Sequence, residues 1–533
     1  MYKRTAVLFA VFTLGMMLCI FTVCRLSAGS NLATAAAHQQ TYVVTAATVR
    51  GTIYDHNLDP LTGCGKTEYH AALVPEARSA AELSPLYSED EMKSVYTLLK
   101  QGKPFTLNLP RSLSAPGMDV FPVRRRYAEK QTAVHVIGYL DGSGNGAAGI
   151  EKLFNGQLST AKGKITVSYP VDAMDHVLSQ SQRQVTDTTD SAKSGVVLTL
   201  DRSIQKLVED SAAKHLQKGA VVVLEVPSGK IRAMASLPAF SPEKVADVLN
   251  STDSPLLDRA TSAYSVGSVF KLAAAAAALE YGISPEERYT CTGAIDVDGQ
   301  LFHCFDSESH GKENMKQAVV NSCNAYFVHL MQKVPQDYFL RMTQMLGFGR
   351  SFSIAPGMSS DAGILPSRSS LNIPRALANF SFGQGELTAT PLQVAAMANA
   401  IASGGTFTQP YLYEGLTDEK GKFTEKIDPQ SAVRVMKQQT ASLLRDFMKG
   451  SIESGTSRKG KPDYGTAGAK TATAQTGKFV NGTEQVESWF AGFYPYENPK
   501  YVIVIFAEGG DGGGTTCGPV FREIADGLYG YVS

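Results

Sequence analysis

The sequence predicts an α/β (α+β) protein whose larger domain is a mainly antiparallel sheet flanked by helices. Three observations predict it. One apolar strand pair, "AVVVLEV" and "KIRAMASL" around the turn "PSG", lies near the middle of the chain. A second pair, "VESWFAGFYP" and "YVIVIFAE" around "YENPK", lies near its end. The stretch between the two pairs is largely helical in pattern.

At the N-terminus, Lys3 and Arg4 precede an uncharged run of 20 residues, Thr5–Cys24, closed by Arg25. At a rise of about 1.5 Å per residue, this length matches a hydrocarbon core about 30 Å thick. A cleaved signal has a shorter apolar core. Residues 1–26 therefore read as a cytoplasmic tip and an uncleaved transmembrane anchor. The flanking charges favour the N-terminus inside, which places the rest of the chain outside the cytoplasmic membrane. Cleavage near "ATAAA" (33–37) is the alternative. Residues 26–40, small and polar, read as a tether.

A first domain over 41–190 mixes short β-rich stretches ("TYVVTAATVRGTIYD") with a helix ("SEDEMKSVYTLLKQG"). The polar run "RQVTDTTDSAKSG" (183–195) has no apolar period and marks the boundary. The second domain spans 191–533. It opens with the strand "VVLTLD", followed by the helix "RSIQKLVEDSAAKHLQKG" with Gly219 as its C-cap. It closes with the helix "PVFREIADGLYGYV".

A chain of 533 residues exceeds one core, and 43% hydrophobic with 19% charged residues is ordinary globular composition. A net charge of zero argues against a nucleic-acid partner. Of seven cysteines, Cys64, Cys291, Cys304, Cys323 and Cys517 lie outside the anchor, at spacings that form no disulfide framework. Cys291 and Cys304 bracket "CTGAIDVDGQLFHC", a candidate hairpin; a local bridge and two free thiols both stay open. There is no CxxC or HExxH, so no metal site is expected. "CGKT" (64–67) and "DGSGNG" (141–146) read as turns. Pro60 stands where a phosphate loop needs glycine, and Lys152 where a calcium loop needs a bidentate glutamate.

The chemistry-bearing residues fall in three places. In "AYSVGSVFKLAAAAAALE", Ser268 and Lys271 stand one turn apart at the mouth of an alanine-rich helix. Ser268 alone would serve as an N-cap. With a lysine whose pKa is lowered by burial or by another cation, it becomes a nucleophile with its base. In "NSCNAYF", Ser322 and Asn324 flank a cysteine inside a helical pattern, where unpaired polar groups are costly. In "AKTATAQTG", Lys470, Thr471 and Thr473 lie on a strand-like stretch suited to holding a carboxylate by charge-assisted bonds.

In order and spacing these match the S-x-x-K, S-x-N and K-T-G set of penicillin-recognising acyl-serine enzymes, with Ala472 in place of the last glycine. The chain resembles a class B penicillin-binding protein, a monofunctional peptidoglycan D,D-transpeptidase. The stretches "RGTIYDHN", "HVIGYLDGSGNGAAGIEKLFN", "GAVVVLEVPSGKIRAMASLPAFSP" and "SFGQGELTATPLQVAAMANAIASGG" extend the likeness over most of the chain. The resemblance implies an elongated N-terminal pedestal before a serine-β-lactamase-like transpeptidase domain. It predicts no glycosyltransferase domain before the pedestal and no repeat domain after the catalytic one.

It implies that Ser268 is acylated, that Lys271 accepts its proton, and that Ser322 and Asn324 shuttle protons and hold the peptide. Lys470 and Thr471 would take the substrate's terminal carboxylate, with the backbone N–H groups of Ser268 and Thr473 as oxyanion hole. The implied partners are peptidoglycan stem peptides, β-lactam antibiotics, the membrane through the N-terminal helix, and a membrane glycan polymerase. No cofactor is implied.

Two departures stand out. Ala469 and Ala472 occupy positions where the family has glycine, and their methyl groups are expected to crowd the site and alter β-lactam affinity. Val266 replaces a frequent proline. The alternatives are a catalytically impaired scaffold and a serine β-lactamase. Against the latter, "RSSLN" (368–372) carries arginine where class A hydrolases carry glutamate.

Overall fold

The computed structural model describes residues 2–27, 41–172, 174–178, 182–480 and 482–532. Of the expected tether, 26–40, residues 26–27 end the first helix and residues 28–40 fall outside the described ones. The chain divides into two compact units.

The first unit comprises Met1–Arg50, Gly65–Arg126 and Ala161–Ala192. Its first helix, α1 (Tyr2–Ser27), buries no side chain and is long and apolar enough to cross a membrane. There follow β1 (Thr41–Val49), β2 (Thr67–Leu73), α2 (Glu89–Lys100), β3 (Phe105–Leu109), β4 (Met118–Arg124), β5 (Gly163–Pro170) and β6 (Gln184–Asp187). They form two three-stranded sheets, ordered β1-β5-β6 and β3-β2-β4. Helix α2 starts where the sequence places it, because Ser88 and Glu91 close a capping box. The run expected to be a linker contains β6, which pairs antiparallel with β5. All four β6 residues are exposed, so no apolar period betrays it.

The second unit comprises Gly51–Cys64, Tyr127–Thr160 and Lys193–Ser533. A single cut at 190/191 assigns the first two stretches differently. Part-buried polar bonds help fasten them to the start of the C-terminal stretch. Asp55 Oδ2 accepts the Arg202 N–H at 3.0 Å, and Glu209 Oε1 accepts the Ala133 N–H at 2.7 Å.

The unit begins with β7 (Gly195–Leu198), α3 (Arg202–His215), β8 (Gly219–Glu225) and β9 (Ile231–Leu237). Asp201 caps α3 through the N–H groups of Ser203 and Ile204. The helix stops at His215, so Gly219 is not its C-cap. Gly219 opens β8, where a Cβ would fall 2.1 Å from the Phe506 carbonyl oxygen. Here glycine serves close strand approach rather than a helix end.

Next come α4 (Lys271–Tyr281), the hairpin β10 (Ala294–Val297) and β11 (Gln300–His303), then α5 (Met315–Val320) and α6 (Asn324–Met331). The last elements are α7 (Pro391–Ala402), α8 (Gln438–Ser454), β12 (Gly468–Val480), β13 (Thr483–Tyr494), β14 (Tyr501–Glu508) and α9 (Gly518–Val532).

Both predicted hairpins join one antiparallel five-stranded sheet, ordered β9-β8-β14-β13-β12. Its strands are apolar on both faces because both are covered. Val221, Val223, Ile503 and Ile505 pack with Ile204 and Val208 of α3 and Phe521 and Ile524 of α9. Val222, Leu224, Val502 and Val504 face the opposite way, into the core that holds α4 and α7.

Within that core, every residue of α4 from Lys271 to Ala278 is buried. Alanine is the best helix former and the smallest that keeps a helix, so neighbours approach this helix closely on all sides. Gly282, at φ 103°, ends it in the left-handed region.

Overpacking should therefore be felt at once. Ala275→Leu is expected to cost about 1–3 kcal/mol, read as a lower urea midpoint at unchanged slope. An unchanged midpoint would show that the helix is loosely surrounded.

Candidate active site

Ser268 sits in a short 3₁₀ turn, Gly267–Phe270, that runs into α4. It does not act as the expected cap. The residue preceding α4 is Phe270, with no side-chain capping bond, and the Ser268 hydroxyl makes no side-chain hydrogen bond among the described residues.

The turn is pressed against β12. Gly267 has φ +63°, and a Cβ there would lie 3.1 Å from the Ala474 Cβ and 3.3 Å from the Ala472 Cβ. Two residues outside the motifs fix it. The Gly267 N–H donates to the Gly383 carbonyl at 2.8 Å. Gly383, at φ +87°, leaves no room for a side chain, since a Cβ would fall 2.1 Å from the Gly267 carbonyl oxygen. Trp489, the one tryptophan of the chain, donates from Nε1 to the Ser265 carbonyl at 2.8 Å. The motif "SFGQG" and the lone buried Trp were the available signals for Gly383 and Trp489.

The pattern "ENMKQAVVNSCNAYFVHLMQKV" reads as one helix, but the structure breaks it into α5 and α6. Ser322 lies in the break at φ 59°. The break turns three acceptors toward Lys271. Its Nζ donates to the Ser322 carbonyl at 2.5 Å and to Asn324 Oδ1 at 2.6 Å, with Ser322 Oγ at 3.2 Å. Asn324 is oriented by its other end, where Nδ2 donates to the His303 carbonyl at 2.8 Å.

From β12, Lys470 Nζ donates to the same Ser322 Oγ at 2.9 Å and to the Thr471 carbonyl at 3.0 Å. The structure thus brings Lys271, Ser322, Asn324 and Lys470 into one hydrogen-bonded group, next in the chain to the Ser268 turn.

Both amines are fully buried. Burial pushes Lys271 down to about 8. Burial, and then the charge of Lys271, holds Lys470 well below the ordinary lysine range. Two ammonium groups on one hydroxyl would repel, which adds to the burial of Lys470 in favouring its neutral form.

Strand β12 is a sheet edge, paired on one side only with β13. Its residues alternate. Lys470, Ala472 and Ala474 face the Ser322 and Gly267 side. Thr471 and Thr473 face the other way: the Thr471 hydroxyl donates to Thr456 Oγ1 at 2.9 Å, and Thr473 Oγ1 accepts the Gly513 N–H at 3.4 Å. Ala469 lies in the core with Phe490 and Phe521, so its methyl does not crowd the site. Ala472 does reach the site, beside Gly267.

The expectation of no metal site also needs revision among the described residues. Folding gathers Cys291, Cys304, His310 and Cys323, whose donor atoms all lie within 4.8 Å of one another.

Residues 219–526, more than half of the chain, match the family described as the penicillin binding protein transpeptidase domain. Stage V sporulation protein D of Bacillus subtilis is 29% identical over 75% of this chain and 63% of its own length. Penicillin-binding protein PbpB of Mycobacterium tuberculosis is 31% identical over 75% of this chain and 61% of its own length. The alignments thus span less than two thirds of these curated relatives. The solved structure of penicillin-binding protein 3 from M. tuberculosis complexed with aztreonam has a TM-score of 0.66 and is 25% identical, covering 92% of this chain and 97% of that one.

The tight fit of the turn against β12 gives a direct test. Gly267→Ala adds a methyl at positive φ against two alanines, and is expected to lower stability by about 1–3 kcal/mol. Thermal denaturation of the purified variant checks it; wild-type stability would mean that the turn rests more loosely on the strand.

Proposed function

This chain belongs to the penicillin-binding protein transpeptidase family, and from that premise we propose that it is a serine D,D-transpeptidase of peptidoglycan, acylated also by β-lactams. The observation that carries the proposal is the sharing of Ser322 Oγ by two buried lysines, one of them a turn away from Ser268.

A serine hydroxyl is a poor nucleophile until a neighbour takes its proton. Ser322 Oγ touches both amines, and Lys271, lowered by burial to about 8, acts as that base in its neutral form. Ser268 Oγ attacks the carbonyl between the two terminal D-alanines of a stem peptide, and its proton passes to Lys271. The oxyanion is received by the backbone N–H groups of Ser268 and Thr473. The C–N bond then breaks. The terminal D-alanine leaves as an amine, taking a proton relayed through Ser322. An amine from a neighbouring stem attacks the ester and restores Ser268.

A terminal carboxylate arriving beside Lys470 would favour the protonated form of its amine, and Thr471 lies next to it on the strand. Asn324, held by His303, keeps Lys271 in place and lines the peptide path. The free edge of β12 suits an extended peptide, which adds as a further strand through main-chain hydrogen bonds. The aztreonam complex of a relative supports β-lactams as ligands of this site. Helix α1 fits a single-pass anchor that leaves the catalytic unit outside the cytoplasm, where a membrane glycan polymerase would supply the strands to be crosslinked.

Labelling with a fluorescent penicillin tests the acyl-serine step. A stable covalent adduct is expected, lost in Ser268→Ala with folding intact. Rapid turnover of the label would mark a hydrolase instead, and no adduct together with no release of D-alanine from a donor peptide would mark a scaffold.

The pH dependence tests the base. Lys271 is depressed from the usual lysine range to about 8, so its free-amine fraction falls below that pH. Acylation is expected to level off above about pH 8 and to drop about tenfold for each unit below it. An acid limb that stays flat between pH 6 and 8 would exclude lysine as the general base.

A further inference from the structure

Three cysteines and a histidine meet behind the Ser322 turn, and nothing in the acyl-transfer scheme uses them. Cys291 ends a short strand (Tyr289–Cys291) paired with Gly311–Glu313, which brings His310 alongside it. The hairpin of β10 and β11 returns the chain so that Cys304 meets Cys291. Cys323 is the residue between Ser322 and Asn324. The three cysteines are buried, and the His310 side chain is 8% exposed.

Three of the separations match the edges of a tetrahedral site, and all donor atoms lie within 4.8 Å of one another. Cys291 Sγ lies 3.7 Å from Cys304 Sγ, Cys304 Sγ lies 3.8 Å from Cys323 Sγ, and Cys291 Sγ lies 3.5 Å from His310 Nδ1. Zinc bonds of about 2.3 Å to sulfur and about 2.0–2.1 Å to nitrogen, at tetrahedral angles, give edges of about 3.8 Å and about 3.5 Å. A disulfide would need about 2.05 Å and would still leave a third thiol over.

The surroundings also suit a metal-bound thiolate. Backbone N–H groups of Gly293 and Tyr326 donate to Cys291 Sγ and Cys323 Sγ, each at 3.4 Å. His310 turns Nδ1 to the sulfurs and Nε2 toward Glu308 Oε2, 4.0 Å away.

We propose that Cys291, Cys304, His310 and Cys323 form a structural site for a zinc-class divalent cation. Binding exchanges three thiol protons for the cation, leaving a closed Cys₃His shell with one net negative charge. All four positions are filled by protein, so the ion is structural and takes no substrate. Its place explains what it does. Cys323 is the middle residue of the Ser322–Asn324 turn, and Cys304 follows His303, whose carbonyl orients Asn324. One ion therefore ties both supports of Lys271 together.

The test uses the full chain, purified in detergent without chelator. About one zinc per chain is expected by elemental analysis, with loss in Cys304→Ser and in His310→Ala but retention in Cys64→Ser. To separate metal loss from misfolding, wild-type protein is stripped with a chelator and refilled with cobalt. Thiolate-to-cobalt charge-transfer bands and the red d–d bands of a tetrahedral site should appear, and zinc should compete them away and raise the melting temperature.

Absence of both zinc and cobalt binding, or a Cys291–Cys304 disulfide found by thiol counting in the freshly purified protein, would overturn the assignment. Metal content is read without any activity. The expected slowing of penicillin labelling on stripping, by tenfold or more, rests on the transpeptidase reading. If no label forms even on the metal-loaded protein, that reading fails while the metal site stands.

Discussion

Lys271 and Lys470 are both withdrawn from solvent, and both reach the hydroxyl of Ser322. A single buried ammonium costs several kcal/mol unless acceptors surround it. Two like charges a few ångströms apart add a repulsion that low polarity does little to screen. The structure meets this constraint by lowering both amines and by supplying fixed oxygens. Those oxygens come from a place where the helix is interrupted. In a continuous helix the Ser322 carbonyl would accept the Tyr326 N–H. Here that N–H donates to Cys323 Sγ instead, and the carbonyl is left for Lys271. The left-handed backbone at Ser322 thus has a direct electrostatic use, a form of local strain that recurs at functional sites.

Fixed acceptors help only if the amines and Ser268 are fixed as well. Lys271 stands at the first turn of a helix buried along most of its length. Lys470 belongs to a strand whose register is set by β13 and the rest of the sheet. Between them, the 3₁₀ turn is wedged against Ala472 and Ala474, tied to Gly383, and held from behind by Trp489. The alternation of β12 lets one strand do two things. One face seals the turn and presents Lys470, and the other directs Thr471 and Thr473 toward 456 and 512–514. Ala469 belongs to a core residue set, so its extra methyl is a packing feature. Ala472 is where this chain's departure from the family bears on the site.

Much of this was legible in the sequence where a residue's surroundings repeat with the period of its element. The hairpins were legible because both faces of their strands are apolar, and α2 because its capping box is written in "SEDE". The motif residues were legible from their order. What escaped reading was local backbone geometry and long-range assembly. A single left-handed residue at Ser322 leaves the apolar pattern across α5 and α6 unbroken. Strand β6 is exposed on every residue and has no period to read. The stretches 51–64 and 127–160 join the second unit through long-range contacts: a parallel pairing of Thr52–Tyr54 with Gly195–Val197, core packing of residues such as Ile53, Leu61 and Ile150, and the carboxylates of Asp55 and Glu209.

The three segments that build the site are not equally secured. The Ser268 turn leans on a fully packed helix, and the Lys470 strand on a five-stranded sheet. The Ser322 turn has neither. It joins helices of six and eight residues and holds a conformation that its own side chain disfavours. A segment of this kind opens readily unless something outside the backbone pins it. The sulfurs of Cys291, Cys304 and Cys323 converge where that pin is needed, and they do so from positions whose spacing resembles no familiar metal motif. Folding, not sequence proximity, makes them neighbours. The same turn that frees a carbonyl for Lys271 delivers Cys323 to the cluster, so precision at the catalytic face and cross-linking at the buried face are two consequences of one backbone break.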